Sequence, residues 1–119
     1  MHDFRKLAVW RRSMDLAEQI YRISGNLPVD ERYGMASQMK RCSVSVPSNI
    51  AEGAGRGTRR QFRYFLEIAM GSCNELQTQL ELAFRFNYIE EQVLIEVGED
   101  IIQVYKMISA FYRSLSAED

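Results

Sequence analysis

Residues 38–63, QMKRCSVSVPSNIAEGAGRGTRRQFR, decide the fold. Met39, Cys42, Val46, Asn49 and Gly53, with Met35 just upstream, recur at alternating three- and four-residue steps, the spacing of one helical face. Pro47 falls inside this pattern. A proline there removes one backbone hydrogen bond and crowds the preceding turn, so a kink is expected between Ser43 and Pro47. A break with Ser45 capping a new helix is the alternative, and the uninterrupted register favours the kink. Gly53, Gly55 and Gly57 then end the helix. Thr58 and Gln61 have the spacing of a capping box, in which each side chain accepts from the other residue's free backbone N–H. Two helices joined by so short a turn form an antiparallel pair.

Outward from this pair the pattern stays helical. Phe62, Leu66, Ala69, Cys73, Leu76, Leu80 and Ala83 form a regular seam, predicting a third helix over residues 59–86. A flanking stripe, Ile68, Ser72, Glu75, Gln79, Leu82 and Phe86, mixes apolar and polar groups as subunit contacts do. Asn87 suits a left-handed helix end. Leu94, Val97, Ile101, Val104, Ile108, Phe111 and Leu115 predict a fourth helix over 90–115, with Glu90, Glu91, Glu96, Glu99 and Asp100 toward its positive dipole end. Residues 116–119 are expected to fray.

Toward the N-terminus, Gly25-Asn26-Leu27-Pro28 is a stop-and-restart signal, with Gly25 as a left-handed cap. It separates a first helix over 6–24 from the second over 30–53, where Asp30 and Glu31 favour an N-terminus. The first helix carries two apolar stripes: Leu7, Trp10, Met14, Ala17 and Tyr21 on one side, Val9, Leu16, Ile20 and Ile23 nearly opposite. One bundle core covers one stripe, so the other implies a further neighbour such as another subunit. The chain therefore predicts an all-α fold, an antiparallel up-down-up-down four-helix bundle in a single domain over 1–119.

Composition narrows the function classes. A net charge of −1 excludes a general polycationic coat while leaving room for a local basic patch. No stretch approaches the roughly 18 apolar residues of a membrane span, and the charged N-terminus lacks a secretory signal pattern. Cys42 and Cys73 lack metal-ligand or disulfide-framework spacing, which points to a cytoplasmic protein with reduced thiols. His2 is the only histidine, at a terminus expected to be disordered, so neither the cysteines nor Ser43, Ser45 and Ser48 have a positioned base. Asn49 and Glu52, beside an apolar seam, are expected to fix register, since a lone carboxylate lacks the second group that acid–base chemistry needs. No enzyme, catalytic residue, metal site or cofactor is predicted.

The remaining signal is electrostatic. Lys40, Arg41, Arg56, Arg59, Arg60 and Arg63 are six of the fifteen basic residues, opposed in that window by Glu52 alone. Folded together at the glycine turn, with the N–H groups of a helix start, they form a candidate phosphate-binding patch. The bland reading is a solvated surface with local pairs such as Arg63–Glu67. Gly53-Ala54-Gly55-Arg56-Gly57 lacks the spacing and preceding strand of a nucleotide loop. Most aromatics lie on or beside the seams. Tyr64 is the exception, facing away beside Arg60 and Arg63.

The runs LAVWRRSMDLAEQIY and LPVDERYGMASQMKRCSVSVPSNIAEGAGRGTRRQFRYFLEIAMGSCNELQTQLELA resemble the four-helix bundle family of bacterial 23S rRNA intervening-sequence proteins. The likeness extends over residues 4–115 and is most specific at SVPSNIAEG and the basic capped helix after it. It implies a helical bundle assembling as a homopentameric ring. A related branch, the accessory proteins of diversity-generating retroelements, binds nucleic acid through a strongly basic surface, from which this slightly acidic chain departs. Two functions follow as expectations. One is an oligomeric accessory protein that binds RNA or DNA through the six basic residues. The other is an oligomeric scaffold for a protein partner.

Overall fold

Four apolar stripes at helical spacing fold into four helices, α1 (Ala8–Ser24), α2 (Met35–Ala54), α3 (Arg59–Arg85) and α4 (Glu91–Ser114), in a computed structural model that describes residues 2–115. No strand occurs among the described residues. The expected fraying over 116–119 lies outside them. Each helix packs on the next, and α4 closes back on α1. The start of α1 (Leu7–Val9) meets the end of α4 (Met107, Ala110, Phe111), and Arg63 early in α3 reaches Leu115 after α4. These contacts require alternating helix directions. The result is an antiparallel bundle 47 × 24 × 20 Å.

The third seam is buried at every position, from Phe62 through Leu66, Ala69, Cys73, Leu76 and Leu80 to Ala83. On α4, Val97, Ile101, Val104, Ile108 and Leu115 are buried, with Leu94 and Phe111 half-buried. For α1 the structure chooses between the two stripes. Val9, Leu16 and Ile20 enter the core, whereas Met14 and Tyr21 stay 39% and 46% exposed. The missing step in the core face is Ser13, fully buried. Its hydroxyl donates to the Trp10 carbonyl at 2.8 Å, so a polar residue costs the core little.

Helix ends differ from expectation where side chains supply caps. A 3-10 turn at Phe4–Lys6 precedes α1; Asp3 Oδ1 accepts from the Arg5 N–H, so α1 begins at Ala8 rather than residue 6. Gly25 ends α1 in the right-handed region, at φ −65°, and not as the left-handed cap expected. Residues 29–31 form a separate 3-10 turn, and α2 starts at Met35. Glu31 causes the delay. Its Oε1 accepts from the Met35 N–H at 3.0 Å, across the position where a Cβ on Gly34 would stand 2.7 Å from that oxygen.

Helix α2 then runs unbroken through Pro47, which excludes a new helix capped by Ser45. Gly53 lies inside α2 and serves close approach: a Cβ there would meet Phe62 and Phe65 at 2.8 Å. Thr58 Oγ1 accepts from the Gln61 N–H at 3.1 Å, the threonine half of the capping box expected. Asn87 is left-handed at φ 63°. With Asn87 N–H bonded to Phe84 and Tyr88 N–H to Ala83, it closes α3 in a Schellman motif.

Candidate nucleic-acid interface

Arg56 follows the C-terminus of α2, Arg59 and Arg60 open α3, and Arg63 lies one turn further on, so these four share one end of the bundle. Lys40 and Arg41 do not join them. They precede Arg56 by about 22 Å of helix at 1.5 Å per residue. Lys40 Nζ sits 5.3 Å over the Tyr21 ring toward α1, while Arg41 Nη1 donates to Ser37 Oγ and lines a groove with Ser72 and Glu75 of α3. The glycine turn gathers four of the six predicted cations and leaves the other two along the barrel.

Each of the four is placed differently. Arg56 pairs with Glu52 at 2.8 Å and stacks on Phe65 with its guanidinium 4.8 Å from the ring centre. Glu52 is thus an exposed surface partner rather than the register-fixing polar group expected, and Asn49 bonds within α2, to the Ser45 carbonyl and hydroxyl. Arg59 is exposed and makes no ion pair among the described residues. Arg60 lines a cleft with Arg63, Tyr64, Glu67 and Tyr112. Arg63 donates to the Leu115 carbonyl at 3.1 Å and lies 4.2 Å from the Tyr112 ring centre. The expected Arg63–Glu67 pair does not form. Glu67 instead accepts from the Tyr112 hydroxyl at 2.7 Å.

Topology brings further cations to this end. The His2 N–H bonds the Ala54 carbonyl, and the imidazole packs on Phe62 and Phe111 at 5.3 and 5.7 Å, so the N-terminal segment is tied down. Arg5, Lys6 and Arg11 come with it, Arg11 Nη1 donating to the Arg5 carbonyl. The half of the bundle built from residues 2–15, 45–72 and 103–115 holds ten basic and four acidic residues. The other half, 16–44 and 73–102, holds five basic and ten acidic. A near-neutral chain folds into a particle with about six positive charges in excess at one end and five negative at the other.

A family model described as 23S rRNA-intervening sequence protein matches residues 5–110. The chain belongs to this family. A solved structure described as a protein of unknown function from the S23 ribosomal protein family of Bacteroides thetaiotaomicron is similar, with a TM-score of 0.82 and 25% identity over 88% of this chain and 95% of that one. No curated protein matches significantly.

Elsewhere in this family member the chemistry is quiet. Burial pushes the Cys42 and Cys73 thiols up to about 12, helped by Glu75 for Cys42 and by Cys42 for Cys73, so both stay protonated and act as core groups. Cys42 Sγ donates to the Ser72 carbonyl. Among the described residues no group of three metal-ligating side chains converges, and no helix is long and apolar enough to cross a membrane. Trp10, Met14, Ala17 and Tyr21 of the other α1 stripe line, with Phe4, Val44, Pro47 and Ala51, an apolar groove of about 670 Å³ between α1 and α2.

Proposed function

We propose that this protein is a non-enzymatic, oligomeric helical-bundle protein that binds RNA or DNA through its basic end. The observation that carries this reading is the charge polarity. Ten cations against four acidic residues in one half of a 47 Å particle make a field that a net charge of −1 conceals, and such a field recruits a polyanion and neutralises its phosphates. Arg59 and Arg60 are the outward phosphate contacts, with Arg5, Lys6 and Arg56 at the same end of the bundle. Arg63 is mainly a structural cation that also shapes the surface, and Lys40 and Arg41 are peripheral.

Self-association completes the proposal. The α1–α2 groove presents Trp10, Met14 and Tyr21 on an apolar wall, the face we assign to a second copy of the chain; five copies is the number that family resemblance implies. In a ring the basic ends would share a rim and reinforce one another. The same groove favours the second reading, an oligomeric scaffold whose apolar surface takes a protein partner without nucleic acid.

Salt separates the two. Affinity for a labelled structured RNA and a DNA duplex should fall linearly on a log–log plot against salt concentration. The double substitution Arg59→Ala/Arg60→Ala should lower that slope by about 1.5 to 2 units, while Lys40→Ala/Arg41→Ala leaves it nearly unchanged. A folded protein that binds neither nucleic acid at low salt would overturn the nucleic-acid reading and favour the scaffold.

A further inference from the structure

The cleft at the basic end is not lined by cations alone. Its walls are Arg60, Arg63, Tyr64, Glu67 and Tyr112, around a volume of about 320 Å³, at the lower limit of small-molecule sites. Tyr64 is 59% exposed, a large ring that the core does not use. It stands four residues beyond Arg60, hence on the same face of α3. Arg63 holds its guanidinium 4.2 Å from the Tyr112 ring centre and donates to the Leu115 carbonyl, two contacts that position the wall opposite. Tyr64 is itself buttressed edge-on by Phe65, whose face carries Arg56. Arginine and aromatic side chains therefore flank the cleft on both sides, Arg56, Phe65 and Tyr64 on one and Tyr112 and Arg63 on the other.

We propose that this cleft takes an unpaired nucleobase stacked on Tyr64, with the flanking phosphates on Arg59 and Arg60, so that the basic end prefers single-stranded to double-stranded nucleic acid. The proposal rests on the nucleic-acid reading above and specifies its ligand. A base in a duplex has both faces covered by its neighbours and cannot offer one to a tyrosine, whereas an unpaired base can. Glu67 argues for the base rather than a phosphate as the group inside: its carboxylate, held by the Tyr112 hydroxyl, repels a phosphate and accepts hydrogen bonds from a base amino group.

The test measures fluorescence anisotropy of a labelled twelve-nucleotide strand, as RNA and as DNA, alone and annealed to its complement. Tyr64→Ala should weaken single-strand binding by about 5- to 150-fold and duplex binding by less than about twofold. Tyr64→Phe, which keeps the ring, should bind like the parent. Because a base face and a phosphate are common to both polymers, the loss should appear on RNA and DNA alike. Thermal melting verifies that both variants remain folded. Equal losses on single strand and duplex, no loss on the single strand, or a loss confined to one polymer would each overturn the stacking site while leaving phosphate binding intact. Absence of binding by the parent protein to any of the four probes would overturn the nucleic-acid reading itself.

Discussion

Arg63 shows how one residue can match its sequence signal and still do a different job. Arg56, Arg59 and Arg60 face solvent, but Arg63 is half-buried, donating to the Leu115 carbonyl just after α4 and stacking on Tyr112. Arg63→Ala should therefore cost about 1 kcal/mol in urea unfolding, from a lost charge-assisted hydrogen bond and a partly exposed cation–π contact. Arg59→Ala, by contrast, should change stability by less than about 0.5 kcal/mol. Glu31 carries a second residue-scale prediction. The Met35 N–H, and then the Tyr88 hydroxyl, hold its carboxyl below the ordinary value, and the same bond to Glu31 raises Tyr88. A depressed carboxylate contributes stability that is present above its unfolded pKa and lost as pH falls through the folded one. The raised tyrosine contributes below its unfolded pKa and loses that as pH rises through its folded value. Melting temperature followed from neutral pH down through the acid range should thus drop less steeply for Glu31→Gln than for the parent. Identical acid slopes would contradict the role of this carboxylate. Neither role was fully legible beforehand, since the Arg63–Leu115 and Glu31–Tyr88 bonds each join residues more than fifty positions apart.

Helix phase was legible at the scale of elements because uninterrupted apolar spacing admits one face: Leu76 and Ile101, read as core, are fully buried. Either one replaced by alanine should cost roughly 2 to 5 kcal/mol in chemical unfolding. Where polar residues sit in the buried face, spacing misleads. Ser13 interrupts the core stripe of α1, which left two stripes to choose between, and the seam read through Asn49 on α2 runs instead through Ile50, fully buried, with Asn49 at the edge. Glycine was equally ambiguous. Gly53 looked like a helix stop and is a contact point between α2 and α3, while Gly71, mid-way along α3, has nothing within 4 Å of a would-be Cβ. Opposite outcomes follow from the same substitution. Gly53→Ala should destabilise by about 1 to 3 kcal/mol through overpacking, and Gly71→Ala should stabilise by about 0.5 to 1 kcal/mol through helix propensity. Calorimetric melting of the two variants reads both signs at once.

For the whole molecule, the decisive property is one that linear order conceals. Linear order places six cations in one window and does not by itself show that Arg5 and Lys6 join four of them while Lys40 and Arg41 fall away. An up-down-up-down topology does imply it, because the chain start and the second turn must share an end. The apolar groove of α1 and α2 makes a separate prediction about assembly. Light scattering should give several times the 13.8 kDa chain mass, and Met14→Asp, at an exposed position in that groove, should lower the mass without unfolding the bundle. The central claim, that polarity of charge makes one end of this bundle a nucleic-acid surface, is tested most directly by mapping the bound face. Amide signals of the isotope-labelled protein, followed by NMR during titration with a short single strand, should shift within 2–7, 55–64 and 111–115. Shifts centred instead on the acidic end or the α1–α2 groove, or none at all, would contradict it.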